Sequence, residues 1–142
     1  MKEIKSDNYS VWIGENSLSK LDVSGYSKIG ILVDENTKEF CLPLLSKLKK
    51  SVIIEIESGE ENKNLDTCNL IWKELTKNRF DRNSLLINLG GGVIGDMGGF
   101  CASTYKRGID FIQIPTSLLA MVDASVGGKL GIDFNGIKNQ VG

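Results

Sequence analysis

The sequence predicts an α/β fold: a Rossmann-like, mainly parallel sheet with flanking helices. Two observations support this prediction. Short apolar runs that suit buried strands alternate with segments of helical spacing, and one such run leads directly into the glycine-rich residues 90–95. The length of 142 residues, with 41% hydrophobic and 25% charged residues, matches one ordinary globular domain.

The predicted strands are short apolar segments bounded by polar or turn-forming residues. Residues 28–34 are an almost continuous apolar run, as expected of a central parallel strand that is buried on both faces. In chain order, the predicted strands are residues 9–13, 28–34, 51–57, 84–89 and 110–114. Their alternation with helical segments favours βαβ units and therefore a mainly parallel sheet.

The helices are predicted from capping residues and from apolar residues at helical spacing. Asn36 or Thr37 could cap a helix that ends near Lys50, with Pro43 as a break or a new start. The basic cluster near its end fits the preference for cations at a helix C-terminus, and consists of Lys47, Lys49 and Lys50. An amphipathic helix is expected over residues 65–78 and another over residues 93–105, with a loop over residues 58–64. Residues 127–142 have no helical period and end without a polar tail, so we expect residues 1–142 to be one domain cut from a longer protein.

The composition argues against several classes of partner and site. The formal net charge of −1 gives no electrostatic footprint for nucleic acid or for an anionic membrane. No signal peptide follows Met1 and no apolar run is long enough to span a membrane, so a cytoplasmic protein is expected. The sequence has no histidine, and Cys41, Cys68 and Cys101 stand far apart in apolar stretches, where each is expected to be a small buried residue. We therefore predict no metal site in this chain.

The glycine-rich residues 90–95 fit the pattern G-x-G-x-x-G between a predicted strand and a predicted helix. In that context glycines let backbone amides approach a pyrophosphate, and the helix N-terminus favours negative charge. The alternative is a tight turn with close helix–strand packing. Asp96, in the first turn of the helix, can orient a cofactor or simply complement the helix dipole.

Two aspartates compete as the acid that holds a ribose hydroxyl of the cofactor. Asp110 lies about 20 residues past the first glycine, as the usual motif requires, but it begins a predicted strand. Asp34 ends an apolar strand, at the edge of the sheet where ligands bind, and we prefer it. The alternative is that Asp34 serves only as a turn or capping residue.

A second glycine-rich stretch, residues 127–131, contains Lys129 and resembles an anion-binding nest with a cation in it. Asp123 precedes it, and Lys138 and Asn139 follow in another loop. These residues are candidates for binding a phosphorylated ligand, although a lysine in a loop is most often only solvated.

A series of motifs in the second half of the chain resembles the 3-dehydroquinate synthase family. In order, these motifs are GGGVIGD at residues 90–96, YKRG at 105–108, QIPTSLL at 113–119, VDASVGGK at 122–129 and KN at 138–139. The resemblance runs from about Asp34 to the end of the sequence and is dense from Gly90 onward.

The resemblance implies an N-terminal NAD-binding domain, without the helical, metal-binding C-terminal domain of the family. Family members are usually homodimeric lyases of the shikimate pathway of aromatic amino acid biosynthesis. They use NAD and zinc, or cobalt, to convert 3-deoxy-arabino-heptulosonate 7-phosphate to 3-dehydroquinate and phosphate. The metal ligands of the family, one glutamate and two histidines, belong to the second domain. The chain alone is therefore expected to be inactive.

The resemblance also implies roles for individual residues. The implied cofactor contacts are Asp34, Asn36, Glu60, Lys63, Gly91, Gly92, Val93, Asp96, Thr116, Ser117 and Leu119. The implied substrate contacts are Asp123, Lys129 and Asn139, with Lys138 near both ligands and Arg107 reaching the substrate phosphate across the dimer. Ser117 stands where the family often has threonine, and Ser58 where it commonly has aspartate. Two alternatives stay open: another sugar-phosphate cyclase, such as a 2-deoxy-scyllo-inosose or valiolone-type synthase, and a non-catalytic nucleotide-binding module.

Overall fold

A computed structural model describes all of residues 1–142, and its core is a four-stranded parallel sheet. The strands are β1 (Lys2–Lys5), β2 (Ser10–Ile13), β3 (Ile29–Asp34), β4 (Val52–Ile56), β5 (Leu85–Gly90), β6 (Asp110–Pro115), β7 (Ile132–Phe134) and β8 (Ile137–Val141). The helices are α1 (Glu35–Phe40), α2 (Leu65–Lys77) and α3 (Gly92–Thr104). A π-helical turn spans Ala120–Ala124. None of the helices has the length and apolar character needed to cross a membrane.

The order of the central strands, β4-β3-β5-β6, creates a crevice at one edge of the sheet. From β3 the chain moves outward to β4 and then returns to the other side of β3 as β5, and all three neighbouring pairs are parallel. The carboxyl ends of β3 and β5 therefore flank the point where the direction of winding reverses, which is where open α/β sheets bind ligands. The predicted fold class is confirmed.

Two apolar clusters cover the two faces of this sheet. On one face α2 and α3 pack over Leu32, Ile54 and Leu86. On the other face Ile31, Val33 and Ile87 pack under the segments before β3 and after α1, including Leu45. Burial on both faces explains why these strands are continuous apolar runs in the sequence.

Some glycines of α3 are required by its close approach to the rest of the fold. A Cβ on Gly98 would lie 2.0 Å from Oδ1 of Asn88 on β5, and one on Gly99 would lie 2.2 Å from Leu130. Asn88 is only 1% exposed, so it has little freedom to move away. These glycines let the helix pack directly against the strand and the loop before β7.

The predicted helix reaching Lys50 is wrong. Helix α1 ends at Phe40, a 3-10 turn covers Leu42–Leu45, and residues 46–50 form turns, so the lysine cluster does not lie at a helix end. Pro43 lies in the first turn of the 3-10 segment, where its missing N–H and its ring prevent α-helical continuation from α1.

Four further details differ from the sequence predictions. Residues 127–142, in which no strand was predicted, contain the antiparallel pair β7–β8, so Lys138 and Asn139 lie in a strand and not in the expected loop. Strand β1 was not predicted either. The loop over residues 58–64 includes the 3-10 turn Glu60–Asn62. Cys68 and Cys101 are buried as expected, whereas Cys41 is partly exposed.

Candidate functional site

The glycine turn lies at the carboxyl edge of the sheet, between the last residue of β5 and the first residue of α3. Gly91 is the N-cap of α3, with an extended backbone (φ −77°, ψ −166°), and no side chain caps the helix. The N–H groups of the first turn are therefore left without a capping acceptor, at the positive end of the helix dipole. This is the arrangement that binds phosphate groups at helix N-termini.

The glycines of this turn differ in whether the packing of the fold requires glycine at their positions. A Cβ on Gly90 would lie 2.5 Å from Ile94, so this position needs glycine for packing. A Cβ on Gly91 would lie 3.6 Å from Oγ of Ser117, and one on Gly92 would lie 3.6 Å from Cβ of Ala124. Both distances are ordinary van der Waals contacts, and neither glycine has a positive φ. The fold itself therefore does not demand glycine at residues 91 and 92.

The segment that follows β6 forms one wall of the turn. The backbone N–H of Thr116 donates to the carbonyl of Gly90 at 3.0 Å, and the hydroxyl of Ser117 accepts from the N–H of Ala120 at 3.3 Å. The bond from Thr116 holds this segment beside the turn, where Oγ of Ser117 lies 3.6 Å from the position of a Cβ on Gly91. Leu119 lies farther along and is 69% exposed.

Asp34 occupies the carboxyl end of β3, on the other side of the crevice. Its Oδ1 accepts from the N–H of Thr37 at 2.8 Å, while its own N–H donates to Oγ1 of Thr37 at 3.0 Å. These two bonds form a capping box, so Asp34 caps α1 and neither Asn36 nor Thr37 does. The hydroxyl of Thr37 also donates to Oδ1 of Asp34 at 3.1 Å, and Oδ2 accepts no hydrogen bond from the protein.

Asp110 lies at the opposite edge of the sheet from the crevice. It pairs in register with Leu85, at the start of β5, about 17 Å along the strand from the glycine turn. The hydroxyl of Tyr26 donates to its Oδ2 at 2.9 Å, and this bond raises the pKa of Tyr26. Of the two candidate acids, only Asp34 is near the glycine turn.

A buried lysine connects three separate parts of the site. Lys63 is only 3% exposed, and its Nζ donates to Oδ2 of Asp96 at 2.7 Å and to Oδ1 of Asn139 at 2.6 Å. These bonds join the loop after β4, the first half of α3 and strand β8. All three residues are candidates from the sequence, but their mutual contact is visible only in the structure.

Asp133, which the sequence analysis missed, fixes the same hairpin. Its N–H donates to the carbonyl of Lys63 at 2.9 Å, and its Oδ1 accepts from the N–H of Asn139 at 2.9 Å. Asn139 has a positive φ of 50°, which the bond to its N–H helps to hold. No motif signals this role, because Asp133 lies in a stretch without recognisable periodicity.

The remaining predicted site residues lie at the periphery. An open cleft of about 430 Å³ lies between residues 60–64 and residues 133–138. Across it, Nζ of Lys138 lies 3.8 Å from Oε1 of Glu60. Lys129 pairs with Asp123, so the cation of the predicted nest already has an acidic partner. Arg107 is exposed beyond the far end of α3, and the structure does not bring it to the other predicted residues.

The chain offers no set of donors for a metal ion. No group of three or more histidine, cysteine, aspartate or glutamate side chains lies close enough together to hold one. Its residues therefore do not fit a zinc or cobalt site, which normally takes three or four such ligands.

Comparisons with known proteins identify close relatives of this domain. A family model described as 3-dehydroquinate synthase N-terminal matches residues 53–142. The 3-dehydroquinate synthase of Parabacteroides distasonis is 53% identical over 120 residues, which cover 82% of this chain and 34% of that protein. The enzyme of Alkaliphilus oremlandii is 49% identical over 142 residues, covering 94% of this chain and 39% of that protein. The chain thus spans between a third and two fifths of the length of these relatives.

Two solved structures share the fold at lower sequence identity. A 2-deoxy-scyllo-inosose synthase superposes with a TM-score of 0.85 at 24% identity, over 99% of this chain and 43% of that one. A 2-epi-5-epi-valiolone synthase from Streptomyces hygroscopicus, solved with NAD+ and Zn2+ bound, gives a TM-score of 0.84 at 23% identity, over 100% of this chain and 42% of that one.

Proposed function

The chain belongs to the 3-dehydroquinate synthase family, and on that premise we propose that it is the NAD-binding N-terminal part of such an enzyme. The whole enzyme would convert 3-deoxy-arabino-heptulosonate 7-phosphate to 3-dehydroquinate and phosphate, in the cytoplasm and as a homodimer. The identities of 49–53% to 3-dehydroquinate synthases, against 23–24% to the two other cyclases, favour this activity over those of the other cyclases.

The observation that supports the cofactor assignment is the pair Gly91 and Gly92. Their backbone conformation and their neighbours both tolerate a side chain, whereas Gly90 and Gly98 are required by packing. Glycine at residues 91 and 92 is explained by a ligand that approaches the backbone from outside. The uncapped N-terminus of α3 makes a pyrophosphate the fitting ligand.

The cofactor would then lie across the crevice between β3 and β5. The amides of Gly91, Gly92 and Val93 would hold the pyrophosphate. Asp34 and Asn36 would hold the adenosine ribose, and Glu60 and Lys63 would make further contacts. The nicotinamide end would meet Asp96, Thr116, Ser117 and Leu119. When bound, NAD supplies a transient acceptor for hydride from the substrate.

The chain's own residues would bind and orient the substrate on the hairpin side of the site. Asp123, Lys129, Lys138 and Asn139 would contact the phosphorylated sugar acid, and Arg107 would reach the substrate phosphate of a second copy. Because a lysine provides a point charge rather than a fixed fork, Lys129 and Lys138 can follow a phosphate as it leaves. The family metal would be held outside these residues, since the chain has no donor set for it.

A calorimetric titration of the chain with NAD tests this proposal. Gly92→Ala adds a methyl group that the fold accommodates but that a pyrophosphate would meet, so we expect it to fold normally and to bind NAD at least tenfold more weakly, a loss of about 1.4 kcal/mol. Ser103→Ala, an exposed change at the far end of the same helix, is the matched control and should leave the affinity unchanged. Equal NAD affinity of Gly92→Ala and the unaltered chain, or no binding by the unaltered chain, would overturn the cofactor assignment.

A further inference from the structure

Glu35, the first residue of α1, accepts hydrogen bonds from both donors of Ser58, a residue on a neighbouring loop. The N–H of Ser58 donates to Oε2 of Glu35 at 3.0 Å, and the hydroxyl of Ser58 donates to Oε1. The bond from the Ser58 hydroxyl, followed by backbone N–H groups, holds the pKa of Glu35 below its usual value. Two donors from one residue on one carboxylate fix the orientation of that residue, and not only its distance.

Ser58 begins the loop that carries two of the proposed cofactor contacts. Its carbonyl accepts from Nδ2 of Asn62 at 2.8 Å, and the chain then turns through Gly59, whose φ is +112°. The loop continues through Glu60 to Lys63, whose buried Nζ ties the other end to α3 and β8. The loop is thus held at both ends, at its start by Glu35 and at its finish by Lys63.

We propose that Glu35 is a positioning residue for the cofactor: by holding Ser58, it fixes the start of the loop that carries Glu60 and Lys63, two of the proposed cofactor contacts. This inference rests on the proposed NAD site. It also separates the roles of two adjacent acids. Ser58 donates to both carboxylate oxygens of Glu35, and Nδ2 of Asn36 also donates to Oε1 at 3.3 Å. Asp34 keeps one oxygen free, so of the two acids only Asp34 can accept from the ribose.

The ordinary role of an acid at this position is to complement the dipole of α1. That role depends on the charge of Glu35 and is indifferent to Ser58. A positioning role depends on the hydrogen bonds, and it predicts that loss of either partner has the same effect as loss of both. The two roles can therefore be told apart by a mutant cycle.

The chain contains a matched control for this pair. Lys38 of α1 and Glu55 of β4 form an exposed ion pair between the same helix and the strand that precedes the loop. Neither residue belongs to the loop. Lys38→Ala removes an exposed contact of similar size while leaving Ser58 untouched.

The experiment measures NAD affinity by calorimetry and amide hydrogen exchange of residues 59–63 by NMR. We expect Glu35→Ala, Ser58→Ala and the double variant each to lose about three- to tenfold in affinity, and the loop amides to exchange faster by a similar factor. Lys38→Ala should change neither. Ser58→Asp places its carboxylate beside that of Glu35, so this variant should bind NAD more weakly still. In the double variant Glu35→Gln with Ser58→Asp, the new side-chain amide can donate to the aspartate, and the affinity should be restored.

The possible failures are distinguishable. If Glu35→Ala and Ser58→Ala bind NAD as the unaltered chain does while Gly92→Ala does not, the positioning role is wrong and the cofactor site stands. If Glu35→Gln does not rescue Ser58→Asp, the hydrogen bond is not the cause of the effect, and the inference fails. If the unaltered chain binds no NAD, the proposed function fails and the positioning role fails with it.

Discussion

Asp34 is predicted to perform two tasks with its two carboxylate oxygens, and the tasks can be separated by substitution. Oδ1 caps α1 through Thr37, at 2.8 Å, and Oδ2 is free to accept a ribose hydroxyl. Loss of an N-cap costs about 1 kcal/mol of folding stability. Loss of a charge-assisted hydrogen bond to the ligand costs about 1.5–3 kcal/mol of binding, which is about tenfold or more in affinity.

Asp34→Ser keeps a capping oxygen and removes the carboxylate, whereas Asp34→Ala removes both. We therefore expect Asp34→Ser to unfold in urea close to the unaltered chain and to bind NAD at least tenfold more weakly. Asp34→Ala should show the same binding loss together with about 1 kcal/mol of destabilisation. The measurements are urea unfolding followed by circular dichroism, and calorimetric titration with NAD.

Asp110→Ala is the control, because Asp110 lies at the other edge of the sheet and bonds Tyr26. It should leave NAD binding unchanged. If Asp34→Ser binds NAD normally, or if Asp110→Ala carries the loss, then the adenosine end of the cofactor does not lie at the end of β3. The role proposed for Asn36 would be wrong as well.

Three further predictions concern stability, thiol reactivity and activity. Lys63→Met leaves the carboxylate of Asp96 without its buried partner and should destabilise the chain to urea by roughly 3 kcal/mol; a loss below about 0.5 kcal/mol would show that the network is dispensable. Contact with Cys68 and burial raise the pKa of the Cys101 thiol, whereas Cys41 is partly exposed. A thiol reagent should therefore label Cys41 first in the folded chain, and equal labelling of all three cysteines would contradict the described packing. Incubated with 3-deoxy-arabino-heptulosonate 7-phosphate, NAD and zinc, the chain alone should release no phosphate, since it has no metal donor set; release at an ordinary enzyme rate of about 10 per second would refute this.

The central strands and the two long helices could be predicted from sequence because burial leaves a clear pattern. Residues 28–34 and 84–89 are apolar on both faces, and they became β3 and β5 within one residue at each end. The hairpin β7–β8 could not be predicted, since Ile132 is its only buried residue; Asp133 is partly buried and the other residues of the two strands are exposed. With one buried side chain there is no alternation to detect.

The site residues could be proposed from motifs, but their physical roles could not. Gly90 and Gly92 are equivalent letters in the pattern, yet one is required by contact with Ile94 and the other is not. Lys63 and Asn139 are separated by 76 positions and meet through one hydrogen bond, which no local pattern encodes. What distinguishes a packing glycine from a binding glycine is its neighbour in space.

Three side chains of the proposed site each keep one polar atom without a hydrogen-bond partner inside the chain. Lys63 binds one oxygen of Asp96 and the amide oxygen of Asn139, and Thr37 binds one oxygen of Asp34. The second oxygen of each aspartate and the Nδ2 of Asn139 have no partner within the chain. Each of these side chains is therefore held in place through one atom. The free aspartate oxygens can accept a hydrogen bond from a ligand hydroxyl, and Nδ2 of Asn139 can donate one to a hydroxyl or a phosphate oxygen. A ligand that binds the free atoms breaks no hydrogen bond within the site. The free-energy cost of ordering these side chains is therefore met during folding and not on binding. Because the bonded atoms hold the site and the free atoms are available to a ligand, the crevice is preorganised before binding. For the same reason, we expect loss of Lys63 to lower folding stability more than loss of the free carboxylate oxygen of Asp34 does.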